Sequence, residues 1–227
     1  MRHSGIIHFG SLLLASALAA TAHAATYNVD TAHSDVTFKV RHMGISTVTG
    51  KFEKFGGTFD VDPKNIKATK GNLTIDAASI LTGNAKRDGH LKSADFFDVA
   101  KYPEIKFVSK EVKDIDMKDS TATLVGDLTM HGVTKEVLLH IKGGGIMVDP
   151  WGNERAAFTA TGKIDRYDYG LKYNAALETG GVVVSQEVEL SLGFEGMRPL
   201  AAAASAKAEK AESKPAKAKP AEAKPAK

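Results

Sequence analysis

The chain has 227 residues, 43% of them hydrophobic and 25% charged, which is the balance of a globular protein and not of a disordered or collagen-like one. Its net +3 is unevenly placed: residues 1–24 carry one positive charge and residues 198–227 carry +5, so residues 25–197 stand at −3. An acidic body argues against nucleic-acid binding, which needs clustered Lys and Arg on phosphates, and the lack of cysteine excludes disulfides, thiolate metal sites, thiol nucleophiles and cysteine-borne lipid.

In chain order, Arg2 and His3 lead into an apolar stretch centred on Leu12, Leu13 and Leu14 and then into Ala22-His23-Ala24. This pattern predicts a secretory signal cut after Ala24. The apolar stretch falls short of the roughly 20 residues that cross a bilayer, so the expectation is export, to the periplasm, of a body held together by its core. Residues 25–197 form the expected folded domain. Residues 198–227 collapse to Ala, Lys, Glu, Ser and Pro apart from Arg198 and Leu200, without aromatics, and read as a solvated, disordered tail. A weak contact of that tail with an anionic envelope surface is the alternative.

Between the ends, apolar residues recur with period two, the mark of strands with one buried face. Val36, Phe38 and Val40 make one row, followed by residues 48–55, then Phe59 and Val61, Leu73 and Ile75, Ile105 and Phe107. Leu124 to Met130 make the next row, and His131-Gly132 reads as the turn into Val137, Leu139 and Ile141. Phe158, Ala160, Gly162 and Ile164 precede a long amphipathic run from Val182 to Phe194. The expected fold is all-β, a single antiparallel barrel of about eight strands. Gly50, Gly56, Gly57, Gly126 and Gly162 are expected at bulges and bends, and Gly143-Gly144-Gly145 as a link between strands. Helical spacing over residues 84–97, with Asn84 as cap, predicts one short helix closing an end. The inward rows mix small and large side chains, which suits a filled core and an apolar tunnel equally.

Of the histidines after residue 24, no two stand at metal-ligand spacing, Ser34 lacks a nucleophile elbow, and the triple glycine lacks the Lys and Ser of a phosphate loop, so neither catalytic residues nor a metal or cofactor are expected. Residues 87–98 read as a plug in which Leu91, Phe96 and Phe97 cover the barrel while Arg87 pairs with Asp98. Tyr167, Tyr169 and Tyr173, with Arg166 and Asp168, suit either a pocket mouth or a plain strand end.

Four segments, in order and spacing, resemble the YceI family: Asp30-Thr31-Ala32-His33-Ser34 through Met43; Gly50-Lys51-Phe52; His90-Leu91-Lys92-Ser93-Ala94-Asp95-Phe96-Phe97-Asp98 with Tyr102-Pro103; and Ile164-Asp165-Arg166-Tyr167-Asp168-Tyr169-Gly170. Tyr173 stands near a position that is commonly Trp in that family, and Tyr169 where Phe is usual, adding a hydroxyl. The resemblance implies a lipocalin-like, commonly periplasmic barrel that binds a polyisoprenoid or a quinone-like long-chain amphiphile, with no catalysis. The residues expected on the ligand are Phe38, Val40, Phe52, Phe107, Phe158, Ile164, Tyr169, Tyr173, Val184 and Leu190. A second copy of the chain is a further expected partner. The competing expectation is an envelope stress or surface-interaction factor with a filled barrel.

Overall fold

Segments that are apolar on one face only can bury those faces together by closing the sheet on itself. In the computed structural model of the chain, residues 25–175 and 182–200 are described; the expected signal and the tail beyond residue 200 lie outside them. Eleven strands appear: β1 (Ala25–Val29), β2 (Asp35–His42), β3 (Ser46–Phe52), β4 (Phe55–Val61), β5 (Lys70–Asp76), β6 (Ile80–Leu81), β7 (Glu104–Asp116), β8 (Thr121–Met130), β9 (Val133–Val148), β10 (Asn153–Asp165) and β11 (Val184–Pro199). One α-helix, α1 (Ala85–Lys92), interrupts them.

Eight strands close an antiparallel ring in the order β1-β4-β5-β7-β8-β9-β10-β11 and back to β1. The long strand β11 makes this closure. One edge pairs with β10 from Asp165↔Glu187 to Asn153↔Pro199. The other edge is shared, holding β2 between Val184 and Gly193 and β1 at Gly196 and Met197. Strands β2, β3 and β6 therefore add a second wall at one end of the ring, and α1 follows β6 there. Tight hairpins hold the register: His131 and Gly132 both take positive φ in the two-residue turn between β8 and β9.

Some local expectations differ from the structure. Strands β1 and β6, of five and two residues, are too short for alternation to reveal. The helix stops at Lys92, with Asn84 Oδ1 accepting from the Arg87 amide at 3.1 Å as its cap. Arg87 does not pair with Asp98; its Nε and Nη2 donate to the Thr82 hydroxyl and carbonyl. The triple glycine is no link but lies inside β9, where Gly144 is the extra residue of a bulge opposite Ala157 and Phe158. Among the glycines expected at bulges, only Gly126 faces one, formed by Lys110 of β7.

The joint between β1 and β11 has two residue pairs, and side chains reinforce it. Arg155 of β10 donates to Asp149 Oδ2 at 2.8 Å, to Asp30 Oδ2 at 2.9 Å and to Glu195. His33 Nδ1 stands 2.9 Å from Asp30 Oδ2, and the Ser34 hydroxyl exchanges hydrogen bonds with the backbone of Glu195. Asp30, His33 and Glu195 lie close enough to face one cation, but Arg155 already supplies it. Burial alone would raise the carboxyl pKa of Asp149. The side chain and backbone of Asn153, then Arg155 and the Trp151 amide, outweigh that and hold it well below the usual carboxylate range. A depressed carboxylate stabilises the fold above its unfolded pKa of about 3.9, and this contribution disappears as pH falls through the folded value. Asp149→Asn should therefore lower the melting temperature at neutral pH, with the gap to the parent closing below about pH 4; thermal melts across that range check it.

Candidate ligand-binding site

The inward rows do not interdigitate across the barrel. They leave a lumen of about 190 Å³, more than ten times the roughly 10–15 Å³ that one water needs. Its wall is apolar almost throughout and is built from the rows read from sequence, among them Leu73 and Ile75 of β5, Ile105 of β7, Leu128 and Met130 of β8, Leu139 of β9 and Leu192 of β11. The described polar side chains on the lining are those of Thr37, Thr58, Asn72 and Arg166.

Open space survives between so many phenylalanines because glycines receive their rings. A methyl group built on Gly50 would overlap the end of the Phe38 ring, one on Gly126 would overlap Phe107, and one on Gly196 would overlap Phe59. Phe38 and Gly50 are direct partners on β2 and β3. The rings of Phe38 and Phe107 thus lie over the neighbouring strand, and that of Phe59 reaches past β1 to β11, instead of crossing the bore. Two of these seated rings also anchor groups of packed aromatics: Phe38 against Phe52 (5.8 Å) with Phe97 edge-on to Phe52, and Phe59 against Phe158 against Phe194.

Arg166 is 4% exposed and sits in the turn after β10. Its Nε donates to the Ser185 carbonyl at 2.9 Å, Nη1 to the carbonyls of Tyr173 at 2.9 Å and Leu171, and Nη2 to that of Val184 at 3.2 Å. The guanidinium lies 4.8 Å from the Tyr167 ring centre. No carboxylate among the described residues forms an ion pair with it, and burial pulls its pKa down. Asn174 completes the frame by bonding both the amide and the carbonyl of Val184. The apolar lumen therefore has one charged wall residue among those described, beside the start of β11.

Over this region sit Leu91 at the end of α1 and the following Phe96 and Phe97, all three on the lining. His90, Phe96 and Tyr173 pack ring against ring at 4.7–5.1 Å, and His90 Nε2 is 2.9 Å from Asp95 Oδ2. Helix and post-β10 segment are joined there.

Eight of the ten residues expected on the ligand line the lumen: Phe38, Val40, Phe52, Phe107, Phe158, Ile164, Val184 and Leu190. Two do not. Tyr173 stands on the outer side of the plug, 41% exposed, because the guanidinium of Arg166 holds its carbonyl and its ring packs on His90. Tyr169 is buried in the wall with its hydroxyl unpaired among the described residues, and burial together with Asp168 pushes that phenol up to about 12. Sequence reading missed the glycine seats. At Gly50 and Gly126 the signal was a glycine on a strand next to one bearing phenylalanine.

Residues 27–196 match the YceI-like domain family. The chain belongs to that family. It is 44% identical to Protein YceI of Escherichia coli O157:H7 over 175 residues, 76% of this chain and 86% of that one. The YceI protein of Campylobacter jejuni, 33% identical, superposes with a TM-score of 0.60 over 75% of this chain and 96% of its own. A polyisoprenoid binding domain from Saccharophagus degradans, 18% identical, matches in fold with a TM-score of 0.52 over 76% and 98%. Two segments that carry the YceI resemblance thus have visible structural tasks: Asp30, His33 and Ser34 close the ring, and Arg166 fixes the polar end of the lumen.

Gly50→Ala isolates the ring-seating effect, since the atoms nearest the new methyl all belong to the movable Phe38 ring. The ring should swing into the bore and reduce uptake of an apolar fluorescent probe, with a modest loss of thermal stability. Adding Phe38→Leu should restore uptake.

Proposed function

We propose that the protein is a binding protein that holds one long-chain amphiphile, a polyisoprenoid or a quinone-like relative, inside the barrel. The observation that carries this reading is a lumen with an almost wholly apolar wall and a single cation at one end among the described residues. Such a cavity suits a hydrocarbon chain with one polar terminus. The polyisoprenoid binding domain of Saccharophagus degradans supports the reading through its shared fold. Residues 1–24 support a periplasmic place of work, where a soluble carrier would shield such a chain from water.

Binding follows from apolar burial at about 0.8 kcal/mol per CH₂, so each five-carbon unit contributes at most roughly 3–4 kcal/mol before ordering costs. Titration with polyprenols of increasing length should give affinity that rises and then levels once the lumen is full. Solvent extraction of the purified protein followed by mass spectrometry should recover a chain in the same range. Flat affinity across the series overturns the proposal. Binding should also hold steady between about pH 6 and 8, since no described histidine lines the lumen; retention measured across that interval checks this.

A further inference from the structure

The other end of the barrel carries apolar groups that neither the lumen nor the core uses. Strand β9 outruns β8, whose pairing stops at Thr121↔Lys142, and continues on β10 alone to Val148↔Glu154. This projecting hairpin bears Trp151, 76% exposed, and Met147, 66% exposed, with Val148 beside them; Met117, also 66% exposed, lies on the β7–β8 turn. Trp151 is held out by a rigid turn: Asp149 accepts from the amides of Trp151 and Asn153 at 2.9 Å each and from Arg155.

The basic tail leaves from the same place. The Leu200 amide donates to the carbonyl of Gly152, the residue after Trp151, at 3.2 Å, and the sequence continues from there with seven Lys against three Glu and no aromatic residue over residues 201–227. We infer that this end of the barrel docks on an anionic lipid bilayer, the tail supplying attraction and Trp151 with Met147 entering the headgroup region.

Each element alone is weak. Polybasic segments are drawn to acidic leaflets but are screened by salt, the Debye length being about 8 Å at physiological ionic strength. The charges around the tip itself, Lys118 and Lys142 against Asp116 and Asp119, nearly cancel, so the attraction must come from the tail. The indole prefers the membrane interface because its ring is apolar and its N–H polar. Stable peripheral binding generally needs two such signals together. A narrow convex tip fits a deformable lipid surface better than a protein partner, whose stable interfaces need about 800 Å² per side. The thirteen residues of β10 span about 40 Å, so docking leaves the Arg166 end of the lumen facing water.

Trp151 is the one tryptophan of the chain, and it lies off the lumen, so its fluorescence reports this contact independently of any ligand. The purified protein is mixed with vesicles of phosphatidylcholine, plain or with roughly one third phosphatidylglycerol, with and without brominated acyl chains. With anionic vesicles at low salt, the protein should cosediment, and Trp151 emission should shift to the blue and be quenched by bromine. Trp151→Ser should weaken cosedimentation several-fold, and truncation after Leu200 should abolish its salt sensitivity. Cosedimentation with unshifted, unquenched emission overturns the proposal, as does failure to bind at low salt. A blue shift that depends on protein concentration without vesicles also overturns it, in favour of a second copy as the occupant.

Discussion

Everything in this molecule depends on β11 finding two different partners along one edge. If β2 took the whole edge, β1 would have no seat and the ring would stay open. The changeover falls between Gly193, the last residue paired with β2, and Gly196, the first paired with β1. Two backbone pairs are a thin seam, and the charges gathered on Arg155 compensate for it. They come from the β1–β2 turn, the β9–β10 turn and β11, so one guanidinium ties three chain segments to β10. Such a cluster is stable only as a set, because removing one partner leaves the others incompletely neutralised and poorly solvated.

The lumen is a second consequence of ring closure. Once eight tilted strands close, the interior has a fixed width, and side-chain size decides whether it is filled or hollow. Here the large rings are turned onto the wall, so the aromatic content that would fill a core lines a bore instead. Interior surfaces of this kind select by length and girth, since hydrocarbon contacts carry little directional information. The one departure from this uniformity among the described residues is Arg166, whose donors are spent mainly on backbone carbonyls while its charge remains.

Much of this was legible in the sequence because the barrel wall has period two, and a period survives without knowledge of partners. The rows of Phe38, Phe107, Phe158, Ile164 and Leu190 face inward as alternation requires. What escaped has no period. Arg155 is one polar residue in an alternating strand, and its partner Asp30 lies 125 positions away. Strand β1 shows a single inward ring, Tyr27, in five residues, too few to register. Tyr169 and Tyr173 were expected on the ligand because a ring with a polar tip suits a pocket mouth and because of their places in the family pattern, but the turn after β10 breaks the alternation at Arg166 and sends them elsewhere. Gly50 was assigned to backbone bending, whereas its chief use is the volume it leaves free for the Phe38 ring.

That use makes the bore a property of absent atoms. A missing β-carbon is the parking place of each ring, so one codon change at Gly50 narrows the channel while leaving the hydrogen-bond ladder, the closure and the plug in place. Lumen calibre and ring closure are thereby placed at separate positions of the chain. Proteins with the same architecture can thus diverge in the calibre of the lumen by drift at a few small residues, without passing through an unfolded intermediate sequence.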